Sequence, residues 1–354
     1  MNTGEHTHLV IMAGGIGSRF WPMSTPERPK QFVDVLGTGR TFIQMTLDRF
    51  KGLIPAENVW VVTGEIYRGL VAEQLPEVPA GNILLEPCRR NTAPCIAYAS
   101  WRIKTIDSKA TVVVSPSDHL VLDVTEFRRV IKSALEFAAE SDAIVTLGMK
   151  PTRPETGYGY IQTDMTCPSA RNKEMYRVDV FREKPDLATA EKYISKPNML
   201  WNAGIFIWSV STIVNAMRVY APEINAVFEN MISVYGTDKE QEVVNENFPK
   251  CESISVDYAI LEKSDEIYCM PAAFGWSDLG TWRSLSENVS RDRNGNAVIG
   301  GNIQTYDTHD CVIHCSEERK VIVQGLDKFI VAEKDNTLLI CKLSEEQRIK
   351  QFSE

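Results

Sequence analysis

Leu9-Val10-Ile11-Met12-Ala13-Gly14-Gly15-Ile16-Gly17-Ser18-Arg19-Phe20-Trp21-Pro22 decides how the rest of the chain is read. The apolar run Leu9–Ala13 predicts a buried strand. The glycines that follow end it and allow positive φ and close approach to the backbone. N–H groups exposed in this way can line an anion-binding nest, and Arg19 adds a guanidinium suited to phosphate oxygens. Just downstream, Arg28-Pro29-Lys30-Gln31 supplies two more cations around a rigid proline. A dinucleotide-binding turn would need glycine where Phe20 stands, and a Walker loop would need Gly-Lys-Ser/Thr, which is absent. A purely structural strand-to-helix turn would need neither Arg19 nor Lys30.

Outward from this turn the pattern repeats. Short β-branched runs at Leu9–Ala13, Asn58–Thr63, Asn82–Glu86, Thr111–Ser115 and Ala143–Leu147 alternate with amphipathic stretches at Thr41–Phe50, Thr92–Ile106 and Thr125–Ala139. The rhythm predicts an α/β fold, a mixed, mostly parallel sheet covered by helices, with ligands outside the carboxyl ends of the strands. From Pro151 to Asn288 the elements are mixed: strands at Tyr158–Thr163, Tyr176–Phe181 and Leu200–Trp208, helices at Val256–Lys263 and Leu279–Asn288. Arg291–Gly295 is charged and turn-like. Short apolar runs at 297–300, 303–306, 311–314, 321–323, 329–332 and 338–342 then predict a small all-β domain. Ser344 with Gln347 has the spacing of a capping box for a last short helix. The expected division is a catalytic domain over 1–290, in halves of about 1–150 and 151–290, and a β-rich domain over 291–354.

Composition narrows the function. Among 354 residues, 44% hydrophobic and 24% charged is ordinary for a globular chain and excludes wholesale disorder. No apolar run is long enough for a membrane helix, and Met1–His8 lacks the apolar segment of a secretory signal. A net charge of −9 argues against a nucleic-acid surface, so a phosphorylated ligand would need cations gathered locally. The eight cysteines include no CxxC pair and read as thiols in a reducing cytoplasm. Cys311 and Cys315 near His309 and His314 hint at zinc, but alternating strand residues explain them better.

Three further segments follow predicted strands and carry chemistry. In Glu86-Pro87-Cys88-Arg89-Arg90-Asn91-Thr92-Ala93-Pro94, Asn91 or Thr92 suits a helix cap. The arginines suit either a solvated surface or a ligand, and a carboxylate such as Glu86 can accept from the two adjacent N–H donors of guanine. In Ser115-Pro116-Ser117-Asp118-His119, Asp118 suits a hard divalent cation. The second carboxylate that such an ion needs could be Asp278 in Gly275-Trp276-Ser277-Asp278-Leu279-Gly280, where Ser277 or Asp278 could equally be an N-cap. Thr156-Gly157-Tyr158-Gly159-Tyr160 permits close backbone approach by a ligand. Glu183-Lys184 reads either as a surface ion pair or as a hydroxyl acceptor beside a phosphate clamp. Trp201-Asn202-Ala203-Gly204 suits core packing around Asn202.

In this order the segments resemble the sugar-nucleotide pyrophosphorylases, most closely the mannose-1-phosphate guanylyltransferases, from about Leu9 to Trp282. The resemblance implies a Rossmann-like three-layer nucleotidyltransferase fold with a short β-helix-like tail. It implies an enzyme that makes GDP-mannose and pyrophosphate from GTP and mannose 1-phosphate with Mg2+. On it, Ala13, Gly14, Gly15, Gly17, Ser18, Arg19, Glu86, Arg90, Asn91, Thr92, Pro116 and Ser117 would bind nucleotide, with Arg19 and Lys30 catalytic. Gly157, Tyr158, Gly159, Glu183, Lys184, Asn202 and Gly204 would bind the sugar phosphate, and Asp118 and Asp278 the metal. The tail is a candidate homodimer contact. The chain is too short for the fused isomerase domain of longer relatives, so a single activity is expected.

The mechanism expected is in-line attack of the sugar phosphate on the α-phosphorus, with positioning and fixed cations supplying catalysis. The same chemistry on another hexose 1-phosphate or nucleotide is the nearest alternative. A regulatory subunit that binds sugar nucleotide without turnover is an alternative of another class, and a nicotinamide oxidoreductase is weakened by Phe20. All of this requires that the glycine turn, Lys30, Asp118 and Asp278, remote in sequence, meet.

Overall fold

The computed structural model describes residues 4–316 and 318–352. It divides into two compact units that interleave along the chain. One comprises Met1–Gly14, Leu47–Pro116 and Val121–Trp276, the other Gly15–Thr46, Ser117–Leu120 and Ser277–Glu354.

The first unit is built on a nine-stranded sheet. Its strands in chain order are β1 (Thr7–Ala13), β2 (Val59–Gly64), β3 (Ile83–Glu86), β4 (Thr111–Pro116), β5 (Ile144–Met149), β6 (Tyr160–Pro168), β7 (Tyr176–Arg182), β8 (Met199–Ser209) and β9 (Ile267–Ala272). They lie in the order β3-β2-β1-β4-β8-β5-β9-β7-β6, with β8 also touching β6. The βαβ half pairs in parallel, Leu9 standing opposite Val59 on one side and Val113 on the other. Pairing turns antiparallel wherever β7 or β8 takes part, so the sheet is mixed. The short return between β6 and β7 leaves no room for the crossover that parallel neighbours require.

Both faces are covered, which explains why the strands read as unbroken apolar runs rather than alternating ones. Thr92–Ile106 buries Ile96, Tyr98, Trp101 and Ile103 against the sheet and the helices Val210–Tyr220 and Pro222–Glu229. Trp208 is wholly buried and stacks on Phe206 at 5.7 Å; truncating such a side chain to alanine costs about 3–5 kcal/mol. The expected strands and the helices at 41–50, 92–106 and 125–139 form within a few residues of their predicted bounds, except that Tyr160–Pro168 runs further. Arg68–Gln74, Leu187–Ile194, Val210–Tyr220, Pro222–Glu229, Glu240–Asn247 and β9 were not anticipated.

In the second unit β10 (Ala297–Ile299), β12 (Val312–His314) and β14 (Phe329–Lys334) pair in parallel, and β15 (Thr337–Lys342) closes that sheet antiparallel. β11 (Ile303–Tyr306) and β13 (Val321–Gln324) form a second parallel pair. The predicted all-β segment therefore forms, but it does not stand apart. Phe20, Val33, Val35 and Phe42, which follow the glycine turn, share one core with Trp282, Leu285, Val312, Ile330 and Ile349. Lys334 Nζ donates to the Met23 carbonyl at 3.1 Å, and His314 Nε2 lies 3.0 Å from the Val35 carbonyl. Burial drives the His314 pKa down to about 4, so the ring is neutral.

Cys311, Ile313 and Cys315 point to the opposite core from Val312, as strand alternation dictates. Among the described residues no three metal-ligating side chains gather, so zinc has no support at this strand. The terminal capping box does not form. The last element opens as a 3-10 turn over Leu343–Arg348 with Lys342 as its uncapped start, which leaves Ser344 inside the turn. Among the described residues no helix is long and apolar enough to cross a membrane.

Candidate active site

In the second unit, the glycine turn, Lys30 and both aspartates meet. Gly17 sits at φ 62, and a Cβ there would stand 2.4 Å from Lys30 Cβ, so the turn closes only with glycine. Ser18–Phe20 then winds into a 3-10 turn, Ser24 Oγ donates to the Gly17 carbonyl, and Gln31 Nε2 donates to the Gly15 carbonyl at 2.9 Å. A cavity of about 310 Å³ opens here, lined by Gly17, Ser18, Arg19, Lys30, Asp118 and Asp278 among others. Arg19 is exposed at its rim.

Lys30 is 2% exposed, its ammonium 5.6 Å and 5.0 Å from the ring centroids of Phe20 and Phe42. Its ammonium donates to the Asp118 carbonyl at 2.8 Å, Asp118 Oδ2 at 3.2 Å and the Asp278 carbonyl at 2.6 Å. Burial works to raise the Asp118 pKa, but the Lys30 charge, then His119, outweigh it and hold the carboxyl below its ordinary value. Asp278 Oδ1 accepts from Gly280 N–H at 2.9 Å. The N-cap of Trp282–Asn288 is Thr281, which forms a capping box with Ser284. Asp278 is therefore not the cap. Two carboxylates at one cavity offer the hard oxygen donors that a magnesium ion takes alongside water and phosphate, and the donor set fits that ion. Ser117, also in this unit, is buried and accepts from Thr46 Oγ1 through its carbonyl.

The first unit holds the remaining candidates in two places. Ala13 ends β1, its carbonyl accepting from Thr63 Oγ1 at 2.9 Å, and Gly14 follows it. A Cβ on Gly14 would lie 3.6 Å from Glu86 Oε2, so Glu86 lies against this backbone. Glu86 is 8% exposed, and its Oε1 has no hydrogen-bond partner. Burial pushes its pKa up to about 7, against the Cys95 thiol bond and the Arg89 charge. Arg90 donates to the Pro249 carbonyl at 2.6 Å. Asn91, at φ 66, caps Thr92–Ile106, and Thr92 Oγ1 accepts from Val256 N–H at 2.9 Å. Arg90 and Thr92 tie this loop to the segment around 249–256, while Asn91 starts the helix. Pro116 ends β4 opposite Met12.

The second place gathers Gly159, Glu183, Lys184, Asn202 and Gly204. A Cβ on Gly159 would fall 2.6 Å from Glu183 Oε2 and 3.3 Å from Asn202 Cβ, so any side chain here would displace the Glu183 carboxylate. Lys184, at φ 47, donates from Nζ to Glu183 Oε1 at 2.7 Å. Gly204, at φ 67, donates its N–H to Asn202 Oδ1 at 3.1 Å. Tyr158 packs edge-on against Trp201 and Trp276. Gly157 N–H bonds Glu155 Oε1 within its own turn.

Residues 8–295 match the nucleotidyl transferase family profile. The chain belongs to the nucleotidyl transferase family. Among its relatives, mannose-1-phosphate guanylyltransferase 2 of Escherichia coli O157:H7 is 36% identical over 98% of this chain and 72% of its own length. Mannose-1-phosphate guanylyltransferase of Salmonella montevideo is 35% identical over 98% and 73% respectively. A crystal structure described as mannose-1-phosphate geranyltransferase from Thermus thermophilus covers 98% of both chains with TM-score 0.87 and 30% identity.

One cluster of this nucleotidyl transferase escaped the sequence reading. Asn202 Nδ2 donates to Asp257 Oδ1 at 3.2 Å, and the Glu183 N–H donates to Glu262 Oε1 at 3.2 Å. Asp257 opens a π-helical turn, Asp257–Leu261, inside the stretch expected as an ordinary helix. Such turns are frequent at functional sites, but periodicity does not distinguish them from α-helix.

Proposed function

We propose that the protein is a mannose-1-phosphate guanylyltransferase, transferring GMP from GTP to α-D-mannose 1-phosphate to give GDP-mannose and pyrophosphate. The observation that carries this is the cavity in which Gly17, Arg19, Lys30, Asp118 and Asp278 meet. The names of the full-length relatives support the choice of base and sugar. In the reaction a sugar-phosphate oxygen forms a bond to the α-phosphorus, and the bond from that phosphorus to the bridging oxygen breaks, releasing pyrophosphate. The nucleophile is already anionic, so no side chain need abstract a proton.

The chain's task is to hold polyanions and stabilise charge moving onto the leaving group. Lys30 suits this because three oxygens already fix its ammonium, so little reorganisation is left for the transition state. Arg19 adds a mobile cation at the rim, and backbone N–H groups of the glycine turn face the triphosphate. Asp118 and Asp278 would hold Mg2+, which when bound supplies positive charge to the phosphates. Glu86, with an unpartnered buried oxygen, reads the guanine edge by accepting from two N–H groups in its ionised form. Glu183 and Asn202 receive sugar hydroxyls, and Lys184 the sugar phosphate.

The fold belonging to this reading is the Rossmann-like three-layer nucleotidyltransferase fold over 1–290, with 291–354 a short β-helix bracing the residues after the glycine turn. The location is cytoplasmic, in keeping with eight free thiols. Self-association through the C-terminal strands is supported by the exposed Tyr306, Ile322, Leu338 and Ile340, and sedimentation would test it. The deciding experiment is pyrophosphate release from a panel of nucleoside triphosphates and hexose 1-phosphates with magnesium. Preference for GTP and mannose 1-phosphate is expected. Preference for UTP or TTP with glucose 1-phosphate, or GDP-mannose binding without turnover, would overturn the proposal.

A further inference from the structure

The sugar-phosphate candidates of the first unit are joined to Asp257 by a hydrogen bond from Asn202. Asn202 is the junction. Its Oδ1 accepts from Thr146 Oγ1 at 2.7 Å and from Gly204 N–H at 3.1 Å, which fixes the amide orientation and turns Nδ2 toward Asp257 Oδ1. Its backbone N–H donates to the Gly159 carbonyl at 2.8 Å. Glu183 is held on the other side, its N–H on Glu262 and its carboxylate against Gly159 and the Lys184 ammonium. The subsite is therefore touched twice from this segment, by Asp257, which opens the π-helical turn, and by Glu262, which caps its end.

We propose that Asp257 is a positioning residue of the sugar-phosphate subsite: acting through Asn202 and beside the Glu183–Lys184 pair, it sets the charge that an arriving phosphorylated hexose meets. The inference rests on the reading of this cluster as the sugar-phosphate subsite.

The argument is one of charge. Glu183 and Lys184 cancel as a pair, and Glu262 and Tyr258 flank them from the π-helical turn. Ionising Asp257 adds a negative charge where a phosphate must come, and competes with that phosphate for the Lys184 ammonium. Burial first and the Glu183 charge second push the Asp257 carboxyl up to about 7, against the pull of Lys184 and the Ser255 hydroxyl. The carboxyl thus changes charge near neutral pH. Lys184 itself holds a left-handed backbone conformation that a non-glycine residue adopts at a cost, a strain that its neighbours must sustain for the ammonium to stay in place.

The test compares wild type with Asp257→Asn, which keeps an acceptor for Asn202 while fixing the neutral state. Michaelis constants for mannose 1-phosphate are read between about pH 7 and about pH 9, where the substrate phosphate is already mostly dianionic. In the wild type KM should rise ~10-fold across this range as charge accumulates. In Asp257→Asn it should stay flat, with kcat within ~3-fold of wild type at the lower pH. Asp257→Glu should restore the rise. A variant following the wild-type pH profile would overturn the inference, because a merely structural contact would leave that profile unchanged. Calorimetry with mannose 1-phosphate alone separates this from the catalytic reading. Binding whose pH dependence disappears in Asp257→Asn, without pyrophosphate release by the wild type, would defeat the activity and support the role of Asp257. Absence of binding at every pH would overturn the role itself.

Discussion

Lys30 and Lys184 each face a carboxylate across about the length of a hydrogen bond, yet their surroundings differ as far as two lysines can. The Lys30 side chain is 3% exposed and held by three oxygens from two aspartates; that of Lys184 is 57% exposed and held by one neighbouring glutamate. A buried, triply bonded ammonium is fixed before substrate arrives, and that is the arrangement that stabilises charge developing in a transition state. An exposed lysine beside a glutamate can exchange partners, which suits ground-state binding. Under the proposed function the contrast would separate a catalytic cation from a recognition cation, and each substitution below tests one side of it.

The largest effect belongs to Lys30. Replacing it with Met keeps much of the buried stem and removes the charge together with its three hydrogen bonds. We expect kcat to fall ~10²-fold, on the order of the cost of deleting a fixed group that stabilises transition-state charge, read as pyrophosphate release at saturating substrates. The melting temperature should fall as well, because Asp118 and two carbonyls lose their partner; with the Asp118 side chain 34% exposed, solvent screening brings the cost to about 1–2 kcal/mol. Next comes Asp118→Asn. Turnover should drop ~30-fold while the GTP dissociation constant changes by less than ~3-fold, because metal charge is used chiefly in the transition state. A shift of the magnesium half-saturation point to higher concentration should accompany it. Unchanged turnover would remove Asp118 from the metal site and make Lys30 a structural partner only.

These residues were legible in the sequence because they follow strands, where α/β sheets place their chemistry. The turn after Ala13, the acid after Val112–Val114 and the Glu183–Lys184 pair are all of this kind. What could not be read was the role of residues fixed by tertiary pairing. Arg90 looked like a ligand cation, and its guanidinium bonds the Pro249 carbonyl. Asp278 could have been a helix cap until Thr281 took that place. Asp257 lay in a stretch whose apolar spacing signals only a helix; neither its burial beside Glu183 nor the π-helical register leaves a mark in periodicity. The C-terminal strands were anticipated within a residue or two, but their shared core with Phe20 and Phe42 depends on contacts far apart along the chain.

Glu86 gives a smaller effect than the Lys30 cavity, and a qualitatively different one. An ionised carboxylate accepts twice, matching guanine; Gln at the same place accepts once and donates once. Glu86→Gln should lower kcat/KM for GTP ~20-fold with little change for UTP, within the range that bidentate base contacts provide. Stability offers a second readout. The neutral carboxyl is favoured in the folded chain because burial raises its pKa to about 7. The stabilisation it lends is thus fully present below its unfolded pKa of about 4.3 and is lost as pH rises through about 7. Wild type should therefore melt lower at about pH 8 than at about pH 5 by more than Glu86→Gln does. Parallel melting curves for the two proteins would mean that Glu86 is solvated and unfit to read a base.

Lys184→Ala should produce the smallest change, and its form matters more than its size. The KM for mannose 1-phosphate should rise ~5- to 10-fold while kcat stays within ~3-fold, the signature of binding that is equal in ground and transition states. Because the ammonium is more than half exposed, its attraction for a phosphate is screened by salt. The difference between wild type and Lys184→Ala should therefore shrink as ionic strength increases, whereas the kcat deficit of Lys30→Met, arising in a dry environment, should persist. If both deficits fade alike with salt, the two lysines are not of different kinds, and burial has not made Lys30 the preorganised cation that separates chemistry from recognition in this enzyme.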